Sequence, residues 1–234
     1  MLEYDSTLNW STVNRVARPS TAPRLTTTSF ALLGLLRLQP FSAYELTGYM
    51  RRSALSVLWP RTEASLYREP KTLEAHGLAR SRVQQNGQRQ RTVYEITAAG
   101  RRAFEAWVDE PGGPPRFECE AAVKAFFGDA TDLASLRAQL ASLRDDQRAK
   151  ADRGNGWIDD WLAGRLQFPD RIHYTALAAD LIDRLQRTVS DWASDWLDRT
   201  ETWEHTGLHD RNEQQARALL QDRLKEGTGK GLEG

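Results

Sequence analysis

Apolar residues crowd into "SFALLGLLRL", where Phe30, Leu32, Leu33, Leu35, Leu36 and Leu38 follow one another too densely for a surface element. That density predicts a buried helix with Ser29 as its cap and Pro40 as its stop. "SAYELTGYMRRSA" is sparser: Leu46 and Met50 fall four apart on an inward face, while Tyr44, Arg51 and Arg52 point elsewhere. Ser42, with Glu45 three residues later, forms a capping box that starts this second helix. "SVLWPRTEA" joins it to a third helix capped by Thr62, and Pro60 blocks continuity across the junction. Within "ASLYREPKTLEAHGLA", Leu66 and Leu73 share a face and Gly77 supplies a left-handed stop. Pro70 in its middle deletes a backbone hydrogen bond and clashes with the preceding turn, costing about 3 kcal/mol, so a bend or interruption is expected there.

The period then changes. In "LARSRVQQNGQRQRTVYEITAAG", Leu78, Arg80 and Arg82 precede Asn86-Gly87, and Thr92, Val93, Tyr94, Glu95 and Ile96 follow it. Two short strands around an Asn-Gly turn are predicted, with Arg89 and Arg91 just past the tip. Thr97 caps a further helix to about Val108, with Phe104, Trp107 and Val108 inside.

"DEPGGPPRFE", residues 109–118, is a Pro- and Gly-rich boundary. Helical spacing dominates beyond it. Leu133, Leu136, Leu140 and Leu143 recur at three or four, as do Tyr174, Leu177, Leu181, Leu185, Val189, Trp192 and Trp196. Gly154, Gly156 and Pro169 are read as punctuation, and Asn212–Leu224 as a last amphipathic segment.

Charge sharpens the division. Residues 24–102 hold 13 Lys/Arg against 5 Asp/Glu, an excess of +8, while residues 103–234 hold 17 against 25, an excess of −8. The basic half suits a polyanion. No run of 18 apolar residues occurs, so no transmembrane helix is expected, and the N-terminal stretch lacks an apolar signal core. The single cysteine, Cys119, allows no intrachain disulfide and no cysteine metal cluster. These features suit a cytoplasmic protein.

Three helices followed by a basic two-stranded wing make the layout of a winged helix-turn-helix. An α-helix fits the DNA major groove and needs donors on its exposed face for base edges, while a hairpin alongside needs cations for phosphates. The third helix offers Ser65, Tyr67, Arg68 and Lys71; the wing offers Arg89 and Arg91; Ser42 and Tyr44 on the second helix suit phosphates. "FALLGLLRLQPFSAYELTGYMRR…SLYREPKTLEAHGLARSR…RQRTVYEITAAGRRAFEAWV" also resembles the PadR family of transcriptional regulators. The shared features are an LLGLL first helix, a (G/A)YEL second helix, an SLY-x-x-x-K-x-LE-x-x-GL third helix and an R-x-x-Y-x-(I/L)-T-x-A-G junction. "FECEAAVKAFFGD" and the long helices after it are similar to the helical C-terminal domain through which members dimerise. The resemblance implies a dimeric repressor released from a palindromic operator by a small molecule. Two positions depart from the pattern: Ala43 stands where glycine is usual, and Pro70 where leucine is commoner.

Eight tryptophans are many for this length. Trp157 and Trp161, like Trp192 and Trp196, are four apart and share a helix face. Each pair suits a core or dimer interface, or a flat pocket for a small aromatic effector, with Trp107 placed to couple the two halves. Of His76, His173, His205 and His209, the last two are four apart, which suits one helix face, but Gly207 between them weakens the helix. No nucleophile elbow or phosphate loop occurs, so no metal, catalysis or cofactor is expected. His76 ends the third helix, where a cation is favoured.

The chain therefore reads as mainly α. A flexible tail (1–25) precedes a winged-helix DNA-binding domain (26–110), a linker (111–116), a helical dimerisation and effector domain (117–226) and a disordered tail (227–234). Its partners are double-stranded DNA and a second copy of itself. The alternative is a winged-helix protein-interaction module that binds no specific DNA sequence.

Overall fold

The computed structural model describes residues 24–86, 89–207 and 210–229. The two predicted tails fall largely outside these residues, although helix continues to Gly229. The chain divides into two compact units, Met1–Gly113 and Pro114–Gly234.

The first unit opens with α1 (Thr27–Leu38). Its cap is Thr26 rather than Ser29: Thr26 Oγ1 accepts from the Ser29 amide at 3.4 Å, and Ser29 Oγ accepts from the Thr26 amide at 2.9 Å. The two hydroxyl residues satisfy each other across one turn, so the helix starts earlier than its apolar run. β1 (Phe41–Ser42) leads directly into α2 (Ala43–Arg52), where Ser42 and Glu45 form the expected capping box. A four-residue helix, α3 (Leu55–Leu58), which the spacing does not predict, lies in the connection before Pro60.

α4 (Glu63–Ala75) is capped by Thr62, whose Oγ1 accepts from the Ser65 amide at 3.3 Å. The helix runs unbroken through Pro70, which is buried along with Leu66 and Leu73. The expected interruption is therefore absent; Pro70 is part of the inward stripe. Gly77 at φ +68 ends the helix, with its amide bonded to Glu74 O at 2.9 Å and the Leu78 amide to Leu73 O at 2.9 Å. This double closure is what a left-handed glycine permits.

β2 (Ala79–Asn86) and β3 (Arg89–Ile96) form the wing, in register from Ala79↔Ile96 to Asn86↔Arg89. β1 pairs with the inner end of β3 through Phe41↔Tyr94 and Ser42↔Val93, giving the sheet order β1-β3-β2. Leu32, Leu36, Leu46, Met50, Leu66, Leu73 and Val93 make the core; each such side chain contributes roughly 1.5–3 kcal/mol of burial. α5 (Ala98–Asp109) is capped by Thr97 and packs on α1, where Trp107 stacks on Phe30 at 5.0 Å. Val108, expected inside, is exposed.

Residues 111–119 carry no regular secondary structure. In the second unit, α6 (Glu120–Phe126) precedes a 3-10 turn at Gly128–Ala130. α7 (Leu133–Leu162) and α8 (Ile172–Thr200) then form an antiparallel hairpin, α7 capped by Asp132. Gly154 and Gly156 do not interrupt α7, although each costs about 0.8–1 kcal/mol relative to alanine; the helix runs on through both to Leu162. The stop is Gly164 at φ +77. α9 (Asp210–Gly229) is tied back by Trp203 Nε1, which donates to Gln215 at 3.0 Å.

α8 carries two apolar stripes rather than the single expected one. Ala193 and Ser190 are buried, whereas Tyr174, Leu177, Leu181 and Leu185 are exposed in the single chain. Among the described residues, no helix is long and apolar enough to cross a membrane.

Candidate nucleic-acid interface

With Leu66, Pro70 and Leu73 turned inward, the 3.6-residue period turns Tyr67, Arg68 and Lys71 outward. Arg68 Nε donates back to the Ala64 carbonyl at 3.2 Å, so its guanidinium runs along the helix surface. Lys71 is exposed and Ser65 half-buried. On α2, which packs against α4, Tyr44 is 71% exposed. Ser42 is occupied with its cap: its Oγ accepts from the Glu45 amide at 3.2 Å and donates to Glu45 Oε2 at 2.8 Å.

The seating of α4 depends on polar contacts that hydrophobic spacing does not reveal. Ser29 Oγ, buried on α1, donates to Glu69. Thr28 Oγ1 accepts from Trp59 Nε1 at 3.0 Å and from Arg61 Nε at 3.2 Å, while the Arg61 guanidinium lies 4.1 Å over the Trp59 ring. These contacts hold the entry to α4 against the first turn of α1. Arg51 pairs with Glu63 at the start of α4.

The wing is fastened by carboxylates. Glu74 accepts from the Ser81 amide at 2.9 Å, and hydrogen bonding from Ser81 holds its carboxyl below the usual value. Glu95 takes Arg80 at 3.1 Å and also takes Arg82; hydrogen bonds from these two arginines keep it ionised. Arg91 Nη1 lies 2.7 Å from Glu45 Oε1, and Nη2 donates to Gln84 at 3.1 Å. The Arg89 side chain lies outside the described residues. From the sequence Glu45 is legible only as the cap partner of Ser42, and the roles of Glu69 and Glu74 are not legible at all, because Arg91, Ser29 and Ser81 lie outside the periodic pattern that spacing reveals.

The tryptophans are dispersed. Trp107 is in the first unit, stacked on Phe30. Trp196 makes an edge contact with Trp203. Arg148 reaches Ser194, which lies between Trp192 and Trp196, and Trp157 is about 14 Å further along α7 at ~1.5 Å per residue. The two pairs in the second unit thus occupy different levels of the hairpin. His76 caps the end of α4, with Nδ1 2.8 Å from Thr72 O; His209 lies outside the described residues.

Residues 32–106 match the family model described as "Transcriptional regulator PadR-like family". A Mycobacterium tuberculosis protein named "Probable transcriptional regulator Rv1176c" is 28% identical over 179 residues, covering 72% of this chain and 92% of that protein. Bacillus subtilis PadR in complex with operator DNA superposes with a TM-score of 0.65 at 22% identity, covering 74% of this chain and 99% of that one. The same protein in complex with p-coumaric acid gives 0.61 at 22% identity, covering 75% and 99%. At these identities the structural likeness shows the fold: a winged helix followed by a helical region.

Proposed function

From a PadR-like transcriptional-regulator domain at residues 32–106, we propose a dimeric DNA-binding repressor that acts in the cytoplasm. The observation that carries this reading is the outward face of α4, where Tyr67, Arg68 and Lys71 stand opposite a fully buried stripe. That face belongs to residues 24–102, with their +8 excess (13 cations less 5 anions). Tyr67, Arg68 and Lys71 enter the major groove, with Ser65 at the start of the helix, Tyr44 and Ser42 beside it, and Arg89 at the wing tip along the backbone.

The second copy docks on the exposed Tyr174, Leu177, Leu181 and Leu185 stripe of α8. Burying such a stripe removes apolar surface from water, the main favourable term in association. Two-fold pairing makes the operator a palindrome with half-sites about 34 Å, or one turn, apart. A small aromatic effector that binds the second unit shifts the spacing of the two recognition helices and releases the operator. The Trp157–Trp161 pair is the more open of the two in that unit, since Trp196 already has an aromatic partner.

Selection of bound fragments from random double-stranded DNA tests the reading. An enriched palindrome whose binding falls steeply with salt is expected. No enrichment, even in dilute buffer, would overturn it in favour of a protein-interaction module. Tryptophan fluorescence titrated with hydroxycinnamic acids reads the effector arm.

A further inference from the structure

The wing is a three-stranded sheet only at its inner end, because β1 reaches no further than Val93 and Tyr94 of β3. Beyond that point β2 and β3 continue as a two-stranded ribbon to Asn86↔Arg89. A ribbon of two strands is marginal by itself and free to twist about its base. Arg91 sits on β3 two residues outside Val93, hence on the same face. Its guanidinium reaches Glu45 Oε1 on the first turn of α2 at 2.7 Å and Gln84, its cross-strand partner, at 3.1 Å.

Glu45 is itself held. Its second oxygen accepts from the Ser42 amide and from Ser42 Oγ, both at 2.8 Å. Ser42 in turn is the last residue of β1, paired with Val93. A closed chain of contacts therefore runs from β3 through β1 and the α2 cap back to β3. The Arg91 and Glu45 side chains are each only 38% exposed, and Arg91 Nε is buried without a hydrogen-bond partner. The guanidinium is thus committed through one Nη to Glu45 and through the other to Gln84, which fixes its place on the wing.

The geometry points to Glu45 and Arg91 as a positioning pair that fixes the outer half of the wing against the second helix. Arg91 thus acts through the wing rather than as a phosphate ligand. The consequence for DNA rests on the function proposed above; the latch itself does not. With the pair intact the ribbon leaves the sheet at one angle, and its tip meets the backbone at a set distance from α4. Without it the ribbon must be ordered on binding, and affinity falls by that ordering cost.

The test uses the full chain and its Glu45→Gln, Arg91→Gln, Arg91→Lys and Glu45→Gln/Arg91→Gln variants. Amide hydrogen exchange without DNA should quicken roughly three- to tenfold across Val83–Thr92 in each Gln single variant, with little added in the double. Peptides from α1 and α4 should stay protected. Unchanged exchange in the ribbon, or loosening spread equally over α1 and α4, overturns the latch. On the selected duplex, Arg91→Gln should bind roughly three- to tenfold more weakly with its log–log salt slope unchanged, and Arg91→Lys should restore little because it loses the fork to Gln84. A slope smaller by about 0.9, restored by Arg91→Lys, would mark Arg91 as a phosphate ligand and overturn the proposal. Failure of the unaltered protein to bind any duplex refutes the DNA reading alone, since exchange still decides the latch.

Discussion

Pro70 lies one turn beyond Leu66 on the buried face of α4, and the helix passes through both without a break. Having no N–H, Pro70 leaves the Leu66 carbonyl without its usual intrahelical donor. The defect is thus placed on the side away from the exposed Tyr67, Arg68 and Lys71. Pro70→Ala should restore that hydrogen bond and remove the ring clash, a gain of up to about 3 kcal/mol. Lost ring packing would offset about 1–2 kcal/mol of this. A higher melting temperature with operator affinity within about twofold is expected. A lower melting temperature would mean that the ring's packing outweighs its helix penalty.

Gly100 explains the end of the T-x-A-G junction. A Cβ placed there would lie 2.0 Å from the Leu78 carbonyl oxygen and 2.9 Å from Ile96 Cγ1. That carbonyl already accepts from the Thr97 amide at 3.0 Å, so it cannot retreat without losing the hydrogen bond that ties the start of α5 to Leu78. Gly100→Ala should cost about 2–4 kcal/mol by overpacking against backbone. Urea unfolding followed by circular dichroism measures this, and a loss under about 1 kcal/mol would show that α5 can slide outward.

Much of the architecture was legible because local chemistry and apolar spacing agreed. Ser42 with Glu45, Thr62, Thr97 and Gly77 each mark a boundary by a mechanism that involves only neighbouring residues. Where two local solutions compete, spacing cannot choose: Thr26 and Ser29 are both capping residues, and only the paired hydrogen bonds favour Thr26. α3 is too short for a period, and Gly154 and Gly156 read as breaks because their cost is local, whereas the 30-residue helix that carries them is set by its whole length. The outward triad of α4 follows from its inward stripe. The support of α4 through Ser29 and Glu69, and of the wing through Glu45 and Arg91, joins polar residues far apart in sequence, which leave no pattern to read.

Arg68 and Lys71 are exposed and suited to a test as polyanion contacts, since among the described residues Arg68 bonds only a carbonyl of its own helix. Arg68→Ala and Lys71→Ala should each lower the log–log salt slope by about 0.9 if the residue meets a phosphate. A base contact would instead cost about 1–3 kcal/mol at one operator position while leaving affinity for unrelated DNA nearly unchanged. Filter binding at several salt concentrations on the operator and on scrambled duplex separates the two. Unaltered binding in the double variant would remove this face of α4 from the interface.

The two stripes of α8 give a contrast within one helix. Leu181 and Leu185 are 48% and 47% exposed, whereas Ala193 on the other stripe is fully buried. A charge at Ala193 must enter the α7–α8 packing, so Ala193→Glu should unfold the hairpin and lose helical signal. A charge at Leu181 or Leu185 stays in water in the single chain, and Leu181→Glu/Leu185→Glu should keep full helicity. If that stripe is the two-fold interface, each substitution acts twice per dimer. With roughly 1.5–3 kcal/mol of burial lost per leucine, the dimer constant should weaken by at least a hundredfold. Sedimentation equilibrium should then find one subunit at concentrations where the unaltered protein is a dimer, and operator affinity should fall with it. A double variant that stays dimeric and helical would place the interface elsewhere on the second unit.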